Sequence, residues 1–327
     1  MSGAMAGEGL VVHSQAPLNA EPSPERLAAS WRTPPGAFYV RTHGDIPEAD
    51  AIAWRLEVGG LVERRLSLSL ADLERDFAFV ELQAFMQCAG NRRADLQPVR
   101  PTGGDPWGAA AIGNALWGGV RLADVLRAAG VNEAAALHVA FTGRDVATKP
   151  EPDGGGLEPY AVSIPLSKAI APETLLAWRM DGAPLRPEHG FPLRVVAPGY
   201  AGARSCKWLE QIEVRDTPSN GRFQARDYKM FPADVTEETA DWSRGVTIDE
   251  MPVNSAVLVP SAFAELEAGE TQVCGWAAAS GRAVVRVDVS GDGGRTWTQA
   301  QLETDPAAPW AWTRWQAHIV LRTGEHQ

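Results

Sequence analysis

The stretch FMQCAGNRRADL, residues 85–96, holds one of only three cysteines in a chain of 327 residues. Two small residues, Ala89 and Gly90, follow the thiol, and then come Asn91, Arg92 and Arg93. Positive charge close to a cysteine favours its thiolate, which is either a nucleophile or a soft ligand for a transition metal. The plain structural alternative is a small buried cysteine beside two solvated arginines, since cysteine is among the most buried residue types. A phosphatase-type loop is excluded, because it would need an arginine at position 94 and a histidine at 87, and these are Ala94 and Gln87. The sequence also lacks H-E-x-x-H, G-x-x-x-x-G-K-[ST] and G-x-S-x-G, the motifs of zinc proteases, P-loop enzymes and serine hydrolases.

The remaining cysteines, Cys206 in GARSCKW and Cys274 in TQVCGW, stand in strand-like stretches and read as packing. No C-x-x-C pair occurs, which argues against a disulfide framework and against a zinc site. Two other segments resemble the cysteine loop in texture. FYVRTHGDIP (38–47) sets Arg41 and His43 beside Gly44, and EHGFPLRVVAPGYAGARSCKWL (188–209) sets His189, Arg194, Arg204 and Lys207 among glycines and prolines. Glycine lets the backbone approach a ligand, and clustered backbone amides bind anions. Three such clusters point to one large polyanionic ligand, such as a phosphate-bearing cofactor.

Bulk composition narrows the partners. A net charge of −11 with no lysine-rich stripe argues against nucleic acid, although local arginines can still focus an anion into one cleft. No apolar run is long enough to cross a bilayer, so no membrane partner is expected. The opening MSGAMAGEGLVVH has neither the basic nor the long apolar region of a secretory leader, which makes the cytoplasm the expected compartment.

Along the chain, residues 1–40 are rich in Pro, Ala and Ser and read as an extended arm, with Ser23 and Pro24 starting a short helix. Residues 41–245 read as a mixed domain. It has strand candidates at 53–62 and 64–70, and a buried strand in FPLRVVAP (191–198). RLADVLRAAGV (121–131) is its clearest helix, with Leu122, Val125, Leu126 and Ala129 on one face and Gly130 as the stop. From residue 246 the texture is that of a β-sandwich: SAVLVPS, TQVCGWAAA, AVVRVDVSGDGGRTWTQAQLE and WAWTRWQAHIVL, with a hairpin signal at GDGG (291–294). About five strands fit, against the roughly seven of an immunoglobulin-like sandwich, so this domain is expected to be incomplete and truncated at its C-terminal end.

With these motifs assembled, the sequence resembles the sulfite oxidase family of molybdenum enzymes. QCAGNRR and AIGNALWGG carry the resemblance, together with VRTHGDIP, EHGFPLRVVAPG, GARSCKWL and DYKMF in the same order; NAEPSPE near the start and DGGRTW near the end also fit. It covers about residues 18–320, and looks nearest to the plant-type enzymes without a haem domain. The resemblance implies an α+β sulfite-oxidase-type molybdopterin-binding domain followed by an immunoglobulin-like β-sandwich used for dimerisation. It implies oxidation of sulfite to sulfate by oxo transfer at molybdenum held by molybdopterin and by Cys88. By position, Arg41, Arg93, Trp107 and Tyr228 match the family's substrate-pocket residues. His43, Asp145, His189, Arg194, Arg204, Ser205 and Lys207 fall where the family holds the pterin and its phosphate. A further pocket arginine of the family has no counterpart in this sequence.

Guanidinium groups suit a compact oxyanion such as sulfite, because their forked donors bind it in a bidentate manner. Without C-x-x-C-H for attached haem, the expected electron acceptor is oxygen or a separate cytochrome, and a homodimer is expected if the sandwich folds. Two other readings remain: a nitrate-reductase-like molybdenum fragment, although no HPGG haem motif or nicotinamide module accompanies it, and a non-catalytic molybdopterin-binding remnant.

Overall fold

A computed structural model describes residues 9–148 and 155–326. Two five-stranded sheets make the first domain. In one the spatial order is Leu66–Leu68, Leu56–Gly60, Leu209–Arg215, His138–Thr148 and Leu157–Pro165; Leu209–Arg215 runs parallel to Leu56–Gly60, and the other pairs are antiparallel. The other runs Ala183–Pro184, Leu175–Met180, Ile112–Arg121 and Val80–Gln87, with Arg194–Val196 pairing the start of Leu175–Met180 on the edge whose end pairs Ala183–Pro184. Helix Leu122–Ala129 buries Leu122, Val125, Leu126 and Ala129, the face read from its periodicity. It ends where Gly130 turns left-handed at φ 72°, a conformation that costs glycine nothing.

The N-terminal segment departs from the expected surface arm. Leu10–Gln15 and Leu18–Pro22 form a hairpin, and every residue of Leu18–Pro22 is buried. That strand also pairs with Val40–Arg41, placing Asn19 opposite Arg41. Proline, alanine and serine composition suggests exposure, but the polar side chains here are buried because distant loops supply their hydrogen bonds. The short helix does begin as read: Pro24–Ala28 follows Ser23, whose Oγ accepts the Arg26 N–H at 3.2 Å.

In the C-terminal domain the sheet order is Asn254–Val259, Gly269–Ala278, Thr313–Leu321 and Gln301–Glu303, accompanied by a hairpin of Asp288–Val289 with Thr298–Gln299. With Val246–Thr247, which pairs with Lys229–Met230, the described residues from 246 onward carry seven strands where about five were expected. The GDGG signal does mark a hairpin, but its loop is longer than a two-residue turn. The Asp292 carboxylate organises it by accepting the N–H groups of Arg295 and Thr296 at 3.0 and 2.9 Å.

The two domains are joined by hydrogen bonds. The Phe85 amide on edge strand Val80–Gln87 donates to the Trp310 carbonyl at 2.9 Å. Arg92 Nη1 donates to Ser255 O at 2.8 Å, Trp276 Nε1 to Ala109 O at 3.0 Å, and Trp312 Nε1 to Trp31 O at 3.1 Å. Three of the four fall within or beside the two segments that meet at Cys88.

Candidate active site

Cys88 sits immediately past Val80–Gln87, buried, in a turn fixed by its own backbone. Its N–H donates to Ala111 O at 2.8 Å, and its carbonyl accepts the Asn91 N–H at 3.0 Å. Asn91 Oδ1 accepts the Ala111 N–H at 3.0 Å, which ties the turn to the neighbouring strand. Arg92 takes the left-handed conformation (φ 66°) that closes the loop. The Arg93 guanidinium packs over Gly90, where a Cβ would lie 2.5 Å from Nη2 and displace it. The Gly90 N–H points at the sulfur at 3.4 Å. Burial raises the thiol's pKa, and the Gly90 N–H together with the Arg41 and Arg93 charges works against that rise.

From this thiol opens a narrow cleft with a cavity volume of about 50 Å³. Phe38, Tyr39, Met86 and Trp208 give it apolar walls, while Arg41, Arg194 and Lys207 give it cations. Burial pulls Lys207 down to about 7, helped by the Arg194 charge, and pulls Arg194 down to about 10. These are the shifts of cations gathered around a site that suits an anion. His43 and His189 are both held neutral, chiefly by burial, with His189 brought to about 3. His189 Nε2 faces the Pro35 carbonyl at 2.8 Å, and Lys207 Nζ donates to Glu188 O at 2.9 Å.

Tyr228 enters the cleft from a single π-helical turn, Phe223–Asp227, a form often found at functional sites. Its hydroxyl lies 2.9 Å from His43 Nε2, and burial raises its pKa. The His43 ring stacks on Tyr160 at 4.8 Å. Arg41 Nη1 donates to Asn19 Oδ1 at 3.2 Å and to its neighbour's carbonyl, Thr42 O.

Of the residues singled out in the sequence, Arg41, His43, Cys88, Asp145, His189, Arg194, Ser205, Lys207 and Tyr228 line this cleft together. Arg93 stands behind the cysteine turn and donates to Asp105 O at 2.8 Å. Trp107 packs in the apolar cluster that contains Cys88, fully buried, and its Nε1 has no partner among the described residues. Arg204 stands between Ala203 and Ser205, which line the cleft, and is not itself among the lining residues. Its guanidinium is wholly buried: Nε donates to Ile248 O and Asp249 Oδ1 and Nη1 to Gln224 Oε1, while Nη2 has no partner among the described residues. Sequence reasoning missed Tyr39, Met86, Glu188 and Trp208, although each stands within two residues of a residue it had named. Tyr160, in a plain strand, gave no signal at all.

The donor set fits molybdopterin. Three cations and neutral imidazoles suit a phosphate and a polar heterocycle, a thiol closes the cleft, and Asp145 Oδ1 is buried with no partner among the described residues. Burial lifts the Asp145 carboxyl to about 6 against an ordinary value near 4. The folded chain therefore holds this proton more tightly than the unfolded chain. Ionising Asp145 costs stability progressively as pH rises from about 4 to 6, and in full above 6. Asp145→Asn is expected to raise the melting temperature of cofactor-free protein by a few degrees above pH 6, with the gain vanishing near pH 4. A pH series of melting curves checks this, and a gain equal at both ends would refute it.

Family comparisons agree with the cleft. Residues 43–223 match the oxidoreductase molybdopterin binding domain, and residues 245–327 match the Mo-co oxidoreductase dimerisation domain. A sulfite oxidase of Gallus gallus is 45% identical over 97% of this chain and 69% of its own. The chain belongs to the sulfite oxidase family of molybdopterin oxidoreductases. A sulfite oxidase of Arabidopsis thaliana is 39% identical over 97% of this chain and 84% of its own. In identity the family member resembles the bird protein more than this plant protein, although it spans more of the plant protein's length. It spans only about six tenths of the mammalian mitochondrial relatives. Among solved structures, the sulfane dehydrogenase SoxCD from Paracoccus pantotrophus superposes with a TM-score of 0.78 at 27% identity, covering 97% of this chain and 76% of that one. The second domain, read as an immunoglobulin-like sandwich, is thus the family's dimerisation domain.

Proposed function

We propose that this chain oxidises sulfite to sulfate at a molybdenum held by molybdopterin. The observation that carries the reading is the convergence of the Cys88 thiol, the Arg41 guanidinium and the Tyr228 hydroxyl on one cation-lined cleft. The bound group supplies the oxygen-atom transfer and the two-electron chemistry. Lys207, Arg194 and His189 would bind its phosphate and pterin portions, with Asp145 accepting a hydrogen bond from the heterocycle, and Cys88 would ligate the metal as thiolate.

Arg41 offers a forked donor to an oxyanion and stays charged at any working pH. Each charge-assisted hydrogen bond to such an anion contributes about 1.5–3 kcal/mol. Tyr228, a phenol kept protonated by burial and paired with His43, can donate a hydrogen bond to sulfite oxygen. Buried Trp107 and Tyr39 keep bulk water from the thiol side. The dimerisation-domain match supports a homodimer, and the acceptor in this reading is oxygen or a separate cytochrome.

The test is molybdenum and pterin content per chain, followed by sulfite-dependent reduction of ferricyanide and, in parallel, reduction of nitrate. Molybdenum with sulfite turnover supports the reading. Molybdenum with nitrate reduction alone makes the chain a nitrate-reductase-like fragment, and molybdenum with neither activity makes it a non-catalytic cofactor binder.

A further inference from the structure

The buried strand Leu18–Pro22 does more than complete a hairpin. Asn19 and Glu21 lie two positions apart and so project to one face of it. Asn19 is 2% exposed and Glu21 4%. Asn19 Oδ1 accepts the Thr42 N–H at 2.8 Å and Arg41 Nη1 at 3.2 Å. Glu21 Oε1 accepts the Gly108 N–H at 2.6 Å, and Oε2 the Ala110 N–H at 3.0 Å. His13 Nε2, on the partner strand of the hairpin, lies 2.8 Å from Glu21 Oε1, and its ring meets Trp107 edge-on with centroids 4.8 Å apart. The segment that Glu21 fastens begins at Asp105, whose carbonyl holds Arg93.

We infer that Asn19 and Glu21 are positioning residues for the anion pocket: Asn19 fixes the Arg41 guanidinium, and Glu21 fixes the 105–110 segment that carries Trp107 and anchors Arg93. The inference rests on the proposed reading of Arg41, Arg93 and Trp107 as the substrate side of the cleft. A buried carboxylate needs all of its donors, and here two are backbone amides of the segment it would position. Among the described residues, Arg41 keeps only its neighbour's carbonyl as a hydrogen-bond partner once Asn19 Oδ1 is gone. Its guanidinium would then sample other rotamers, and sulfite affinity would fall while the reaction itself is left intact.

The experiment uses the molybdenum-loaded holoenzyme. In Asn19→Ser the KM for sulfite is expected to rise about tenfold with kcat within about twofold, the pattern of lost ground-state anchoring. In an Arg41→Lys background the same substitution should change KM by less than about twofold, because partners in one unit are not additive. Glu21→Gln keeps the shape and one acceptor oxygen, and is expected to raise KM by about threefold or more. It serves also where Asn19→Ser loses its melting transition. An unchanged KM in a folded, metal-replete variant overturns the inference, as does an equal effect of Asn19→Ser with and without Arg41. Absence of sulfite turnover in the unsubstituted holoenzyme overturns instead the reading on which the inference rests, whereas normal turnover there with an unchanged KM in the variants overturns the inference alone.

Discussion

Cys88→Ser is expected to lower sulfite-dependent ferricyanide reduction by more than about a hundredfold, since loss of an outer-shell partner of a metal ligand alone commonly costs 10–100-fold. Serine has nearly the shape of cysteine, and the turn around position 88 is held by backbone bonds, the Cys88 N–H to Ala111 O and the Asn91 N–H to Cys88 O. The fold should therefore survive, and the melting temperature should stay within a few degrees of the parent. What changes is the ligand: a hydroxyl is a hard oxygen donor that is not deprotonated near neutrality, while a thiolate is soft and strongly donating. Turnover and molybdenum content are measured on the same preparation. Turnover within tenfold of the parent, in a variant that retains its metal, would mean that Cys88 is packing after all and that the bland reading of residues 85–96 was right.

The second large effect concerns stability. Arg204→Met is expected to destabilise the protein by about 3–5 kcal/mol, the cost typical of breaking a buried ion pair from one side. Arg204 is fully buried, with Nε 2.8 Å from Asp249 Oδ1 and 3.1 Å from Ile248 O, and Nη1 3.0 Å from Gln224 Oε1. Methionine fills much of the volume but leaves three acceptors without that donor. Asp249 is partly exposed, and water can replace some of its loss, which points to the lower end of the range. The consequences reach the cleft, because the residue that loses a donor at its carbonyl, Ile248, gives its own N–H to Tyr228 O at 2.9 Å. The midpoint of a denaturant titration checks this. An unchanged midpoint accompanied by lost molybdenum would return Arg204 to the cofactor-binding role that the sequence suggested.

How far the sequence reached can be seen from which contacts are local. The cysteine turn was legible because small residues, a thiol and arginines stand side by side, and the turn closes on itself within residues 88–93. Helix Leu122–Ala129 was legible because its buried face follows the helical period and its stop is a glycine. Sequence proximity to Ser205 and Lys207 says nothing of the direction of the Arg204 side chain. Its neighbours line the cleft, yet it turns to residues twenty or more positions away. Asn19 and Glu21 were invisible as site residues for the same reason. A run of Pro, Ala and polar residues reads as surface, and the amides of Gly108 and Ala110, with His13, make burial of a carboxylate tolerable. Tyr160 stands in a strand whose pattern names a face but not the ring of His43 that it meets.

The bonds that cross between the domains bear on how the architecture can be divided. The boundary drawn by family descriptions at residue 245 separates two units of sequence, but the edge amide of Phe85 finds its acceptor in Trp310, and Ala109 and Ser255 are tied across the same seam. The strand that delivers the thiol is completed by a neighbour from the far end of the chain. The C-terminal domain is therefore no detachable module grafted onto a self-sufficient enzyme. Exchange of that domain between relatives would transplant a partner of the first sheet's edge along with any interface, and recombination within this family should be tolerated only where both sides of the seam travel together.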